Sequence, residues 1–532
     1  MKVTTNMATM KHIARNIKFA VAAVAVSLAM VSCLEKYPQS SIPEDKAMQT
    51  INDAEQHLNG IYASLKSAYL HSGLLTLLPD IQSDMVFAVE GNTNTYGNFW
   101  RWQIRSTDSE IEGVYGALYE VIGNCNFYLD RVDDVMAGLT DDDYIDMLEI
   151  FTGEVYTIRA LCYSELLKCY CKAYDPATAA SLPGVVLRTK YFEKEPIVRA
   201  SLEDSYRFVL EDLERAEARL SDDDADNPPS PIFVTLSTAQ ALHARVALYM
   251  QDWDTAIKYS SKLIDERGTF SLSSVRTDVY DSAVGEYVTA FDYLWAEDVG
   301  TEVIWLIGFT NTSYGGALGQ VFLNFTSDYT YFYPDYAPTQ EVLDMFETGD
   351  ERRDSYFADS SSGIVIGYSN GMDWPLLVKY YGNRGLINSY IFHVSMPKPF
   401  RLAEQYLIRA EAYCRKGNYG LAGNDLSKLR AARFLSGGGI SVNENNWLKT
   451  IADERLRELY MEGFRLHDLK RWGEEYAKAN GGYSISRKAQ RYTQTEGSTL
   501  QITADNPMLV WPIPQHELEA PGSQLVPNDS NK

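Results

Sequence analysis

"ERLRELYMEGFRLHDLKRWG", residues 454 to 473, decides how this chain is read. Four acidic side chains, five Lys or Arg and a Trp fall in twenty positions whose apolar residues repeat with helical spacing. On a helix Glu454, Glu458, Glu462 and Arg465 stand at i, i+4, i+8 and i+11 on one face, while Leu456, Leu459 and Tyr460 mark another. A stripe of acids ending in a base requires partners on neighbouring helices. Arg401, Arg409 and Arg430 upstream can supply them, because a guanidinium fork matches a carboxylate with two parallel hydrogen bonds. Burying charge is costly, so such a network sets helix register more than it adds stability. The stretch therefore reads as scaffold, with Asp468 and Trp472 in the same structural set.

Outward from this point, helical periodicity dominates. Residues 54–69, 115–132, 153–170 and 201–220 all repeat apolar side chains at three and four, and Ser201 followed by Asp204 forms a capping signal with the shorter acid. Strand signals are sparse: "TEVIWLIGF" (301–309) is the clearest, with one short hairpin expected in the 360s. Two stretches, "ARVALYMQDWDTA" (244–256) and "AEAYCRKGNYGLA" (410–422), align at an offset of 166. Each has an Ala, a polar turn, an aromatic (Trp253, Tyr419) and an Ala three residues on (Ala256, Ala422). A small residue lets two helices approach while the ring plugs the turn, which is how a tetratricopeptide-type hairpin packs. With 58–69 and 158–170 as weaker copies, the expectation is a mainly α protein. About four such hairpins would form a right-handed superhelix packed against an irregular, loop-rich region with few short strands.

The N-terminus sets the compartment. Lys2, Lys11, Arg15 and Lys18 precede the apolar run FAVAAVAVSLAMV (19–31), too short to span a bilayer core that needs roughly 20 residues. Met30-Val31-Ser32-Cys33 follows and resembles the lipobox of a bacterial lipoprotein, so residues 1–32 are expected to be a signal peptide and Cys33 the lipidated first residue. Two or three acyl chains hold a protein to a membrane where one does not. Loss of residues 1–32 takes the formal charge from −24 to −28, a surface that repels nucleic acid.

Motifs for chemistry are missing. The seven His are scattered without ligand spacing, the cysteines show no zinc or disulfide pattern, and neither a nucleophile elbow nor a phosphate loop occurs. "SDDDADNPPS" (221–230) begins like a calcium loop but lacks its glycine and its final acid, and reads as a solvated loop. No catalytic residue, metal site or cofactor is expected. A pair of carboxylates for glycoside hydrolysis is not singled out by anything in the sequence.

The opening stretch, with Glu454, Arg455, Glu458, Glu462, Gly463, Arg465, Asp468, Arg471 and Trp472, closely resembles the C-terminal signature of the SusD/RagB family of outer-membrane nutrient-binding lipoproteins. "RLAEQYLIRAEAYCRKG" (401–417), "YAPTQEVLDMFETGDERR" (336–353), "GEVYTIRALCY" (153–163), "VWPIPQHELEA" (510–520) and "SDMV" (83–86) resemble further segments of the same family. The resemblance implies one continuous body over 33–532, with an N-terminal part (33–230) and a C-terminal part (231–532). It implies a lipid-anchored outer-membrane protein facing the cell exterior that captures oligosaccharides and passes them to a SusC-like TonB-dependent transporter, without making or breaking bonds. A peptide-binding RagB-type role is the alternative. A surface glycosidase and a pure repeat scaffold are further ones.

Sugar recognition needs an aromatic face for the C–H side of a pyranose and polar groups for its hydroxyl rim. "EGNTNTYGNFWRW" (90–102) offers Tyr96, Asn98, Trp100 and Trp102 with Asn92 and Asn94 between them. "SDYTYFYPDY" (327–336) adds Tyr331 and Tyr333, and Trp295 and Trp374 stand alone. Tyr96, Asn98, Trp100, Trp102, Trp295, Tyr331 and Tyr333 are the ligand-binding candidates. For each aromatic the plain alternative is a loop plug packed on the helices.

Overall fold

The computed structural model describes residues 47–91, 94–192, 196–221, 231–324, 332–359, 374–493 and 496–532. Cys33, Asn92, Tyr331, the hairpin expected in the 360s and the acidic run after Ser221 lie outside the described residues.

The principal helices are α1 (Ile51–Ser64), α2 (Leu74–Ile81), α3 (Ser109–Leu129), α4 (Asp142–Tyr170), α5 (Leu202–Glu217), α6 (Leu236–Tyr249), α7 (Trp253–Ser261), α8 (Leu402–Arg415), α9 (Tyr419–Ala431), α10 (Trp447–Glu458) and α11 (Arg465–Ala479). Their starts follow from local chemistry. The Thr50 hydroxyl accepts the Asp53 N–H at 3.2 Å while the Asp53 carboxylate takes the Thr50 N–H at 2.9 Å, a reciprocal cap for α1. Ser201 accepts the Asp204 N–H at 3.0 Å and starts α5. Neighbours in sequence pack as neighbours in space: α3 on α4, α4 on α5, α5 on α6, α6 on α7, α7 on α8 and α8 on α9. The two aligned repeats become the pairs α6/α7 and α8/α9. Ala244, Ala247, Ala256, Ile408 and Ala412 form one buried cluster where the pairs meet, with Trp253 half-buried at the turn. Alanine at these positions brings the backbones close enough to exclude water.

Among the described residues, ten strands of two to four residues make five separate antiparallel pairs. In chain order they are β1 (Val86–Ala88), β2 (Asp278–Asp281), β3 (Glu286–Thr289), β4 (Val303–Trp305), β5 (Tyr336–Pro338), β6 (Phe357–Ala358), β7 (Leu376–Leu377), β8 (Phe400–Arg401), β9 (Ile485–Arg487) and β10 (Leu500–Ile502). Apart from the β2–β3 and β9–β10 hairpins they act as clasps. β1 pairs with β5 and so joins residues 86–88 to 336–338, and β4 pairs with β8.

The opening stretch corrects its own reading as one helix. α10 ends at Glu458, α11 starts at Arg465, and the six residues between turn the chain with Met461 and Gly463 at φ +58° and +83°. A β-carbon at Gly463 would sit 2.4 Å from the Leu75 carbonyl oxygen, so only glycine fits. The buried Asp80 carboxylate holds the turn by accepting the Gly463 and Arg465 N–H groups, each at 2.9 Å, and so caps α11 from a distant helix.

Candidate functional site

Two polar regions emerge from this fold, one dry and one wet. In the dry one Glu458 meets Arg352 at 3.0 Å, Arg401 at 3.1 Å and Arg433 at 2.9 Å. Glu454 meets Arg352 at 2.7 Å, Arg430 at 3.0 Å and Arg457 at 2.6 Å. Glu462, in the turn, meets Arg401 and Lys379, both at 2.7 Å. Arg465 forks onto Asp84, Asp468 onto Arg455 and Arg471, and the Trp472 indole N–H donates to Glu411. Burial by itself would raise the Glu454 and Glu458 carboxyls, but the facing guanidinium groups outweigh it and hold both well below the usual carboxylate range. Each carboxylate here is met by at least one cationic side chain, so the region reads as scaffold. Arg409 is a correction, since it pairs with Asp425 and Asp265 and not with the acidic stripe.

Trp295 belongs to this dry region. It is 6% exposed, with Lys379 Nζ 4.1 Å from its ring centroid and the Arg401 guanidinium 5.2 Å away. Trp100 is 0% exposed, its indole N–H donates to the Val86 carbonyl at 3.1 Å, and the Arg487 guanidinium lies 4.5 Å from its ring. Both rings are buried, Trp100 completely, so the structure corrects the expected platform to packing. The alternation of aromatic and polar residues around them is the same in either case. Trp374 is half-buried, donates to the Pro338 carbonyl at 2.8 Å and meets Phe87 edge-on.

The wet region is built by clasps between loops. β1–β5 pairing brings residues 90–91 and 94–102 against 332–338. There Asp335 accepts the Asn94 N–H at 2.6 Å, the Tyr333 hydroxyl donates to the Gly91 carbonyl at 2.9 Å, and the Tyr336 hydroxyl donates to Thr95 at 2.7 Å. Asp335 N–H donates to Val321, and Gly319 N–H to the His393 carbonyl, which draws in residues 381–394. Rings then follow one another from Phe332 to Tyr381 (6.5 Å) to His393 (6.4 Å) to Phe392 (6.4 Å). On the other flank residues 66–72 carry the exposed Tyr69 and hold the loop of the exposed Tyr314, through Lys66 to Ser313 and the Gly316 N–H to Ser72.

The sequence candidates Tyr96, Asn98, Trp102 and Tyr333 are half-buried in or beside this face. Asn98 donates to Asp108 at 2.7 Å and Trp102 to the Gln82 carbonyl at 2.8 Å, so each has one edge committed to protein. Sequence reasoning missed Tyr69, Tyr314, Tyr381, Tyr390 and Phe392, all exposed, Tyr390 by 85%. Backbone strain accompanies them. Tyr96, Trp102, Tyr390 and His393 have φ of +66°, +60°, +62° and +63°, a conformation that costs a bulky residue about 1–3 kcal/mol and persists where surrounding structure enforces it. The available signal was only that Tyr, at 36, outnumbers Phe, at 20.

A family model described as "Starch-binding associating with outer membrane" matches residues 34–248, and one described as "SusD family" matches residues 377–529. SusD-like protein P25 of Formosa agariphila is 22% identical over 498 residues, spanning 83% of this chain and 86% of that protein. The starch-binding protein SusD of Bacteroides thetaiotaomicron is 34% identical over 113 residues, 20% of this chain and 19% of its own. The crystal structure of a SusD superfamily protein from Bacteroides thetaiotaomicron superposes with a TM-score of 0.73 at 20% identity, covering 90% of this chain and 99% of that one. At that identity the likeness speaks to the fold.

Proposed function

The chain belongs to the SusD/RagB family, and we propose that it is a glycan-binding lipoprotein of the outer membrane. It captures oligosaccharides on the face formed by residues 66–72, 90–102, 313–316, 332–338 and 381–394, and hands them to a SusC-like TonB-dependent transporter without cleaving them. One observation carries this reading: exposed and half-buried aromatics stand on five segments linked to one another by hydrogen bonds and ring contacts, several on backbone held in a strained conformation. Pyranose rings stack on such surfaces through their C–H faces while Asn and Asp side chains take the hydroxyls. Cys33 carries the lipid, and acyl chains anchor the protein at the cell exterior. No helix of the described residues is long and apolar enough to cross a membrane.

Isothermal calorimetry of the protein from residue 35 onward against plant, host and microbial glycans tests the reading, with Tyr333→Ala and Tyr381→Ala alongside. Saturable heat that weakens tenfold or more in both variants, with no sugar released, supports it. Heat from a peptide digest and none from glycans moves the assignment to peptide capture, and released sugar makes the protein a hydrolase. Cys33→Ala shifting the protein from the membrane fraction to the soluble one tests the anchor.

A further inference from the structure

A cavity of about 660 Å³, lined by none of the aromatic segments, lies between the start of α6, residues 269–277, the β2–β3 hairpin and residues 299–304. Phe270, Leu272, Val279, Tyr293, Val303 and Ile304 supply its apolar surface. The remaining described lining residues are mainly Ser and Thr, and among the described residues that line it there is no Asp, Glu, Lys, Arg or His. That is unusual in a chain with 23% charged residues and a formal charge of −24.

Two observations point to a ligand. The size lies within the range of small-molecule sites, roughly 300–1,000 Å³, and the mixture of apolar wall and a few hydroxyls matches their composition. Ser237 and Ser273 lie buried in the wall, while Thr269, Ser271, Ser274, Thr277 and Thr301 are half-buried or exposed and offer hydroxyls along it. The wall is also firmly held: the Ser273 N–H donates to Glu302, Arg433 donates to the Ser273 carbonyl at 2.5 Å, and Ser271 donates to Thr301 at 2.9 Å.

We infer that this cavity is a second ligand site, for a neutral glycoside bearing an aryl or acyl group. The apolar wall would take the aryl or acyl part and the serine and threonine hydroxyls the sugar. A carboxylate or sulfate would lose its hydration with no cation to meet it, so charged sugars are rejected. An unsubstituted monosaccharide would leave the apolar wall uncovered. The site stands independently of the aromatic face, and the two are separable by mutation.

The test is calorimetry of the purified full chain with the 4-nitrophenyl glycosides of glucose, galactose and mannose, with 4-nitrophenyl glucuronide and the free sugars as comparators. Thr277 is exposed at the mouth, so Thr277→Trp plugs the cavity without touching the core, and Tyr293→Ala removes one wall. The expected result is saturable binding of at least one neutral aryl glycoside. That binding should be tenfold or more weaker in both variants, equally weakened for the glucuronide and the free sugar, and unchanged in Tyr333→Ala. No binding, binding that survives Thr277→Trp, equal binding of the glucuronide, or loss in Tyr333→Ala overturns the site. The last outcome assigns the ligand to the aromatic face, and failure of both Tyr333→Ala and Tyr381→Ala to affect oligosaccharide binding counts only against that face.

Discussion

The ion-paired core and the aromatic face use the same side chains to opposite ends. Around Glu458 three guanidinium groups close on one carboxylate with nothing exposed, and Trp295 lies beneath Lys379 and Arg401 as one more wall. Two residues beyond Lys379, Tyr381 points outward into the chain of rings with Phe332 and His393. The difference is where the clasps lie. In the core the charges share partners, so removing Glu458 leaves Arg352, Arg401 and Arg433 with other carboxylates but an excess of buried positive charge. On the face most clasps join a side chain to main chain, and they leave Tyr69, Tyr314 and Tyr381 exposed.

The largest test of that contrast is Glu458→Ala. It strips a carboxylate from Arg352, Arg401 and Arg433 together, and removing one partner of a buried pair costs about 3–5 kcal/mol. Urea denaturation should show the midpoint falling with the slope unchanged, while the folded fraction keeps its ligand affinity. A loss below about 1 kcal/mol, the scale of an exposed pair, would show that the core is not what holds the scaffold. Next comes Trp100→Ala. A buried ring truncated to Ala costs roughly 3–5 kcal/mol, so stability drops before affinity does. A specific loss of affinity at unchanged melting temperature would return Trp100 to the site.

Tyr333→Ala should behave in the opposite way. Stability changes by about 1 kcal/mol or less, as for one net hydrogen bond, and affinity falls tenfold or so, worth about 1.4 kcal/mol.

A further effect is pH-dependent. Burial pushes the Asp80 carboxyl up to about 7 against the pull of the two N–H groups it accepts, and burial raises Glu154 to about 8. A carboxyl raised by folding keeps its proton in the native chain after the unfolded chain has released it. The contribution is fully present below the ordinary carboxylate pKa and is lost as pH rises through about 7 to 8. Each such group changes stability by at most about 1.4 kcal/mol per pH unit. Melting temperature should therefore decline between pH 5 and 8, and Asp80→Asn should flatten that decline. An equal slope in the variant would mean that Asp80 is ionised throughout.

How much of this was legible follows from the range of each interaction. Helices were readable because apolar spacing is local, and the paired repeats because Ala256, Trp253 and their counterparts at Ala422 and Tyr419 sit at fixed offsets. The turn at 459–464 was not, since it depends on Asp80 nearly 400 positions upstream and on the Leu75 carbonyl that excludes any side chain at Gly463. Of the aromatic candidates, composition picked out residues 90–102 as a segment but could not separate Trp100, facing Arg487, from Tyr96 four positions earlier, because a turn with several positive φ values has no fixed alternation.

By itself the sequence determined a mainly helical chain, its repeated helical pairs, and a charged C-terminal stretch built for scaffold, because periodicity, small-residue spacing and charge pattern act within a few turns of chain. Tertiary structure alone decided which Arg meets which Glu, which Trp is sealed, and which tyrosines share a face. Those outcomes depend on β1–β5 and the loop clasps joining residues more than 200 positions apart, and no local pattern encodes a contact that the chain must cross the molecule to make.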